Sequence, residues 1–237
     1  LKRCAPSRFT LKDLRVSEKD EGKMYADIYD AVMEHRLPPQ TKLTEQVLCD
    51  IYGLARHNVR KVLGQLAADG LVELSPNRGA FIANPTPQEA NEMFELRQSL
   101  ERLVIQKVAQ TASDQDLAAL REMVAREREA WQSGDRASWI RLSADFHLAL
   151  AELAGNGLLV DMLRRLVSRT TLLIASVEAP GQNVCSFDDH LQIIEQLAAG
   201  NKAAALKCMA THLQGCAHRA TLPDEGRFDL RSALIRS

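Results

Sequence analysis

The segment Asn84-Pro85-Thr86-Pro87 constrains the fold of this chain more than any other feature. Neither proline can donate a backbone N–H, so no regular helix or central strand runs through it. Thr86, Pro87, Gln88 and Glu89 also read as a capping box with proline at the first helical position, which starts a helix there. Before this point the apolar pattern is mixed; after it nearly every stretch repeats at helical spacing. For 237 residues the expectation is two ordinary domains rather than one. Charge divides at the same place: 13 basic and 11 acidic side chains lie in residues 1–85, 17 and 20 in residues 86–237. The net charge of −1 excludes a protein that coats nucleic acid by bulk charge, but not one with a local basic patch.

The longest apolar run, Thr170 to Val177, is far shorter than the roughly 20 residues that span a bilayer. The basic start Leu1-Lys2-Arg3-Cys4 leads into Ser7, Arg8, Lys12 and Asp13 without an apolar core, unlike a secretory signal. The five cysteines form no C-x-x-C pair, and Cys208 and Cys216 on one helix would stand about 12 Å apart. Reduced thiols in a cytoplasmic protein are therefore expected.

In the second block, Ser113 with Asp116 opens a helix toward Trp131, and Asp135 opens another to about Leu153, ended by Gly155. Leu158, Leu159, Met162, Leu163 and Leu166 form an apolar stripe on a helix that Asn156 caps. Ser186 with Asp189 opens a helix to Ala199, and Asn201 caps the last long one. About six helices with short connections imply an antiparallel bundle. The chain thus reads as mostly α: an arm (1–20), a winged helix-turn-helix (21–84), an all-α antiparallel helical bundle (85–222) and a tail (223–237) containing Phe228-Asp229-Leu230.

The head follows from its punctuation. Tyr25, Ile28, Tyr29, Val32 and Met33 give residues 24–35 one apolar face, stopped by Pro38 and Pro39. Thr44 N-caps a second helix through Tyr52, although its capping box is incomplete, and Gly53 supplies a left-handed turn. On a third helix from Ala55 to about Asp69, Val59, Val62, Leu63 and Leu66 face inward while Arg56, His57, Arg60 and Lys61 project outward. Leu71 to Leu74 and Ala80 to Ile82 then form a hairpin wing around Ser75-Pro76-Asn77-Arg78-Gly79. This order suits a recognition helix in a major groove.

With Leu43 and Thr44, the runs G-L-A-R-H-N-V-R-K-V-L (Gly53 to Leu63) and L-A-A-D-G-L-V (Leu66 to Val72), and the Asn77-Arg78-Gly79 wing, residues 24–84 resemble the DNA-binding domain of the GntR family of bacterial transcription regulators. The resemblance implies that Arg56 and Arg60 contact the major groove, with His57 beside them, and that the wing tip, Arg78 and Gly79, enters the minor groove. Thr44, Asn58 and Lys61 complete the expected DNA-binding set. The chain departs from the family at Ala55, where Ser is usual, at Asn58, where a small residue or Pro is usual, and at Lys61, where Glu is usual. Asn58 can bond adenine bidentately, so the operator is expected to differ from the commonest ones.

In the bundle, His147, His190 and His212 fall on three helices and can converge on its axis, where neutral imidazoles suit a divalent transition metal. The runs Glu95 to Glu101, Asp145 to Asn156, Asp188 to Ile194 and Ala210 to Leu213 resemble the FCD effector domain of the FadR-like branch. There an Asp or Asn four residues before the first histidine joins three histidines around the ion. Here that position is Ser143, while Asp145 points off that face. The resemblance implies Zn, Ni, Mn or Fe, with an open position for an effector carboxylate. It also makes Arg97, in the E-L-R run, the first candidate for binding that carboxylate, with Arg169 second; a salt bridge from Arg97 to Glu101 is the competing role. Trp131 and Trp139 are expected to pack.

The sequence contains no G-x-S-x-G, H-E-x-x-H or Gly-rich phosphate loop, and Asp188 and Asp189 read as first-turn acids rather than a catalytic pair. The expectation is a homodimeric, ligand-responsive repressor that binds a pseudo-palindromic operator on double-stranded DNA and a small carboxylate metabolite. A metal-dependent enzyme with a winged-helix interaction module, and a regulator with a metal-free acyl-type pocket, are the alternatives.

Overall fold

The computed structural model describes residues 11–34, 36–177 and 187–220, with side chains described for 20–34, 36–175 and 187–220. The cap expected at Ser186, the first ten residues and the tail with Phe228-Asp229-Leu230 lie outside the described residues. The head comprises α1 (Leu11–Met33), β1 (Lys42–Leu43), α2 (Glu45–Tyr52), α3 (Arg56–Ala68), β2 (Val72–Ser75) and β3 (Gly79–Ile82). Helix α1 begins well before residue 24, within the segment set aside as an arm. Sequence patterning missed β1 because two residues are too few to show alternation. That strand completes a three-stranded antiparallel wing in the order β1-β3-β2, with Leu43 opposite Ala80 and Val72 opposite Ile82.

Local chemistry sets the boundaries. Gly53 ends α2 at φ +65, a left-handed conformation that a side chain would strain. Thr44 stands at the α2 N-cap without a side-chain cap hydrogen bond, as its incomplete capping box implies, and Ala55 offers none to α3. Val59, Val62, Leu63 and Leu66 of α3 are buried against Met24, Ile28 and Val32 of α1.

The bundle follows as α4 (Pro87–Thr111), α5 (Asp114–Ser133), α6 (Arg136–Leu153), α7 (Gly157–Val177), α8 (Phe187–Ala198) and α9 (Lys202–Ala220). Complete capping boxes start α4 at Thr86 and α5 at Ser113; Asp135 caps α6. Asn156 and Asn201 accept hydrogen bonds from the amides of Leu159 and Ala204. The stripe expected on α7 is only half buried. Leu159 and Leu163 enter the core, whereas Leu158 and Met162 are 76% and 57% exposed. The five apolar residues span more of the helix circumference than its packed face covers.

Head and bundle share one apolar cluster, in which Trp139, Ile140, Leu172 and Ala175 pack with the head core. Polar contacts flank it: Arg136 Nε donates to the Met33 carbonyl at 3.2 Å, and Arg141 pairs with Asp30. Gly70, at φ +79, lies directly under Arg169; a Cβ there would meet Arg169 Cγ at 2.4 Å. Gly70→Ala combines this clash with left-handed strain, so it should destabilise the protein by about 1–3 kcal/mol. A melt should show a midpoint lower by several degrees, on the order of 2–4 °C per kcal/mol for a chain of this size. An unchanged midpoint would contradict this close approach.

Candidate metal centre and nucleic-acid interface

The bundle core carries an unusual number of polar groups. Positions 117, 120, 124 and 127 of α5 all face inward, and the last is Glu127, fully buried. On α4 the buried series runs through Arg97, Glu101, Val104 and Val108. On α6, His147 continues the inward series of Ile140 and Ala144. His190 of α8 and His212 of α9 are buried as well.

These residues form one constellation. His190 Nε2 lies 3.3 Å from His212 Nε2, which lies 3.3 Å from His147 Nε2. For metal–nitrogen bonds of 2.0–2.1 Å, the edge of a tetrahedral ligand set is roughly 3.3–3.4 Å. Two of the three edges therefore match imidazoles around one ion, and all three ligand atoms lie within 4.8 Å of one another, the proximity a metal site requires. Each Nδ1 faces a carboxylate: His147 with Glu101 at 2.5 Å, His190 with Glu127 at 2.8 Å, and His212 with Asp189 at 3.2 Å. A carboxylate at Nδ1 fixes the tautomer that carries its proton there and leaves the Nε2 lone pair inward, as in carboxylate–histidine–metal triads.

Electrostatics support this assignment for two of the rings. Burial, reinforced by the Arg97 charge and opposed by Glu101, pushes His147 down to about 3. Burial likewise lowers His190 against the pull of Glu127. Both imidazoles are neutral at pH 7 and able to ligate. Burial alone would raise Glu101, but Arg97 and His147 outweigh it and hold the carboxyl at about 2. His212 differs. Burial opposes its charge, yet Cys216 and Asp189 outweigh burial and raise it to about 9.

Arg97 supports Glu101 from the far side. Its Nε donates to Glu101 Oε1 at 2.8 Å and its Nη1 to Thr170 Oγ1 at 2.7 Å. Nη2 lies 2.8 Å from the same Glu101 oxygen but off the line of a hydrogen bond, so it keeps donor capacity. The arginine thus takes the salt-bridge role while lining a cavity of about 50 Å³ beside the histidines, together with Trp139, Ser143, Cys216 and Arg219. Trp139 packs, as expected, and its buried Nε1 has no hydrogen-bond partner. Trp131 packs edge-on against Phe187.

Several sequence expectations are corrected here. Arg169 does not line this cavity; it packs over Gly70 and lies 3.5 Å from Glu89, because its position on α7 faces the head. Asp189 is more than a first-turn acid, since it meets His212, whereas Asp188 pairs with Arg128 at 2.9 Å. Asp145 does point away from His147, into a junction pocket of about 230 Å³ shared with Tyr25, Tyr29, Arg141 and Arg164. Glu127 escaped the sequence reading. Its signal was there, an acid in the register of Leu117, Leu120 and Val124.

The head presents a second surface. Arg56 and Arg60 project from α3 with side chains 65% and 71% exposed, and Glu45 lies 3.6 and 3.8 Å from their Nε atoms. Thr44 and His57 are exposed nearby, and Asn58 is partly buried. Lys61 projects outward as helical spacing suggested, its side chain 57% exposed, and its ammonium also meets Glu21 of α1 at 2.8 Å. At the wing, Asn77 (φ +62) and Gly79 (φ +100) form the tight turn, and Arg78 reaches over the Phe81 ring at 5.6 Å.

A winged helix-turn-helix with an arginine-bearing exposed helix, packed on a helical bundle with a polar core, defines a DNA-binding regulator with its own effector domain. Residues 21–82 match the family "Bacterial regulatory proteins, gntR family", and residues 92–215 match the FCD domain. The chain belongs to the GntR family of transcription regulators, in its FCD-containing branch. It is 23% identical to the HTH-type transcriptional regulator YdhC of Bacillus subtilis over 86% of this chain and 93% of that protein. It is 29% identical to the HTH-type transcriptional regulator LutR of the same species over 75% of this chain and 90% of LutR. Among solved structures it resembles Escherichia coli McbR/YncC, with a TM-score of 0.71 at 19% identity over 86% of this chain and 96% of that one. These relatives are regulators rather than enzymes. Among the described residues, no helix is long and apolar enough to cross a membrane.

Proposed function

We propose that the bundle binds a small carboxylate metabolite at a divalent transition metal held by His147, His190 and His212, and that this binding changes how a homodimer engages DNA. One observation carries the reading: three buried Nε2 atoms converge beside a cavity whose wall is also part of the head core. Trp139, Ile140 and Ala175 line the cavity and belong to the apolar cluster that contains Met33, Leu54 and Val59. A ligand that enlarges the cavity therefore displaces side chains on which the head rests. Its effect on DNA affinity is limited to its differential affinity for the two head placements.

The metal would supply Lewis acidity toward a carboxylate oxygen. The protein supplies three imidazoles, their carboxylate partners and the spare Arg97 donor. Cavity size bears on the effector class. About 50 Å³ is the volume of one or two waters or one carboxylate, while a pocket for a large ligand is typically 300 Å³ or more. This favours a small polar effector over an acyl chain. In this reading Arg56, Arg60 and the wing residues Arg78 and Gly79 meet the operator, and Thr44, His57 and Asn58 border that contact. Two heads related by a two-fold axis demand a pseudo-palindromic site. The exposed Leu158 and Met162 on α7 favour self-association of the bundle. Repression, by occupying that site, completes the reading.

A thermal-shift screen of small carboxylates, with and without added zinc, manganese or nickel, tests it. The expected result is a metal-dependent rise in the midpoint, with about 2.7 kcal/mol of stabilisation at a ligand concentration one hundred times Kd. The His147→Ala/His190→Ala protein should lose both bound metal by elemental analysis and the ligand response. Equal, near-zero metal in both proteins would refute the metal centre. A carboxylate response that survives chelation would refute the metal's part in binding.

A further inference from the structure

The sequence treats Cys216 as an ordinary thiol, one turn beyond His212 on α9. The structure places it beside the histidine cluster. Its Sγ lies 3.6 Å from His212 Nε2, it is buried, and it lines the same cavity as Arg97, Ser143, His147 and His212. We infer that Cys216 is a fourth protein ligand of the metal, so that the site is His3Cys rather than three histidines and a water. The inference rests on the metal reading above and goes beyond it in naming a ligand and a metal preference.

Geometry is the first argument. With metal–sulfur bonds of about 2.3 Å and metal–nitrogen bonds of 2.0–2.1 Å, the sulfur–nitrogen edge of a tetrahedral set is roughly 3.5–3.6 Å. Cys216 and His212 already stand at that separation. Cys216 is not one of the three residues whose ligand atoms all lie within 4.8 Å of one another. The sulfur therefore enters from the His212 edge, moving inward on binding.

The chemistry of the neighbourhood is the second argument. Ser143, the α6 residue on this side of the cavity, offers a hydroxyl, a much poorer ligand for a divalent transition metal than a thiolate. Arg219 Nη2 donates to Cys216 Sγ at 3.0 Å, the kind of outer hydrogen bond that orients a ligating sulfur. The three converging histidines independently mark where an ion would sit. On coordination the thiol proton is released to solvent and sulfur binds as thiolate. The cavity would leave room beside these ligands for an effector oxygen, an expansion of coordination that zinc tolerates. A thiolate also makes the site softer, favouring zinc over manganese or magnesium.

Cobalt(II) titration of the full-length, tag-free protein tests the assignment. Visible d–d absorption reports cobalt in the site, and a near-ultraviolet sulfur-to-cobalt charge-transfer band reports thiolate ligation. Wild type and Cys208→Ser should show both features. Cys216→Ala and Cys216→Ser should keep the d–d bands and lose the charge-transfer band. Their zinc affinity should fall by more than the roughly 10–100-fold that loss of an outer partner costs, with manganese affinity little changed. The serine variant keeps the side-chain shape, so a folding defect in the alanine variant does not obscure the result. Cobalt bound without the band in wild type, or a band that persists in Cys216→Ala, overturns Cys216 as a ligand and leaves the histidine site standing. The absence of any d–d absorption overturns the metal centre and this ligand together.

Discussion

Glu101→Ala should destabilise the protein by about 3–5 kcal/mol, a large share of the 5–15 kcal/mol that typically holds a domain folded. The reason is an asymmetry within the Arg97–Glu101–His147 chain. All three side chains are buried, and Glu101 bridges the other two. Without its carboxylate, Arg97 remains as a buried cation that cannot deprotonate, left with the Thr170 hydroxyl and the face of the Phe94 ring. Arg97→Ala should cost less. The stranded carboxylate can then be neutralised by a proton, on itself or shared with His147, whose imidazole is no longer repelled by the guanidinium. Thermal melts should therefore rank wild type above Arg97→Ala and Arg97→Ala above Glu101→Ala, the last lower than wild type by roughly 6–20 °C. Equal midpoints for the two variants would show that the buried arginine is not what makes the carboxylate necessary. Metal affinity should also fall in Glu101→Ala, because His147 loses the partner that fixes its tautomer.

The second large effect lies on DNA. Arg56→Ala combined with Arg60→Ala should weaken operator binding by roughly 30-fold to 25,000-fold, taking about 1–3 kcal/mol for each arginine that reads a base edge. The fold should not suffer, since both side chains are largely exposed and their 3.6 and 3.8 Å approaches to Glu45 are surface ion pairs of little energetic consequence. Salt dependence separates two roles. If the arginines read bases, preference for operator over random DNA collapses while the salt slope changes little. If they neutralise phosphates, affinity falls on all sequences and the slope drops by about 0.9 per lost contact. Operator binding within a few fold of wild type would remove α3 from the interface. Lys61→Ala should have the smaller effect of the three positions, because its ammonium is already paired with Glu21.

Much of the scaffold was legible in advance because its signals are local. Thr86 with Glu89 and Ser113 with Asp116 are reciprocal pairs three residues apart, and their hydrogen bonds form wherever the rest of the chain lies. Gly53 marks its turn for the same reason. Legibility failed where a partner is remote. The half-exposed stripe on α7, with Leu158 and Met162 outward, depends on how much of the helix its neighbours cover. Arg169 read as a second, weaker candidate of the same kind as Arg97, yet it lies over Gly70 while Arg97 lines the cavity. Lys61 does face outward as helix geometry implied, but that geometry says nothing of its partner Glu21, 40 residues earlier.

By itself, the sequence determined the division at Pro85-Thr86-Pro87, the winged head, the helical bundle and the identity of the three histidines. These follow from backbone preferences and apolar periodicity, which act over a few residues. Only the tertiary structure decided that the histidines meet, that Glu101, Glu127 and Asp189 stand behind them, and that Cys216 lies at their edge. The distances concerned are about 3 Å, while the partners Glu101 and His147 or Glu127 and His190 are 46 and 63 residues apart in sequence. Packing of α4, α5, α6, α8 and α9 fixes such separations, because only a close-packed core holds side chains from five helices to within tenths of an ångström.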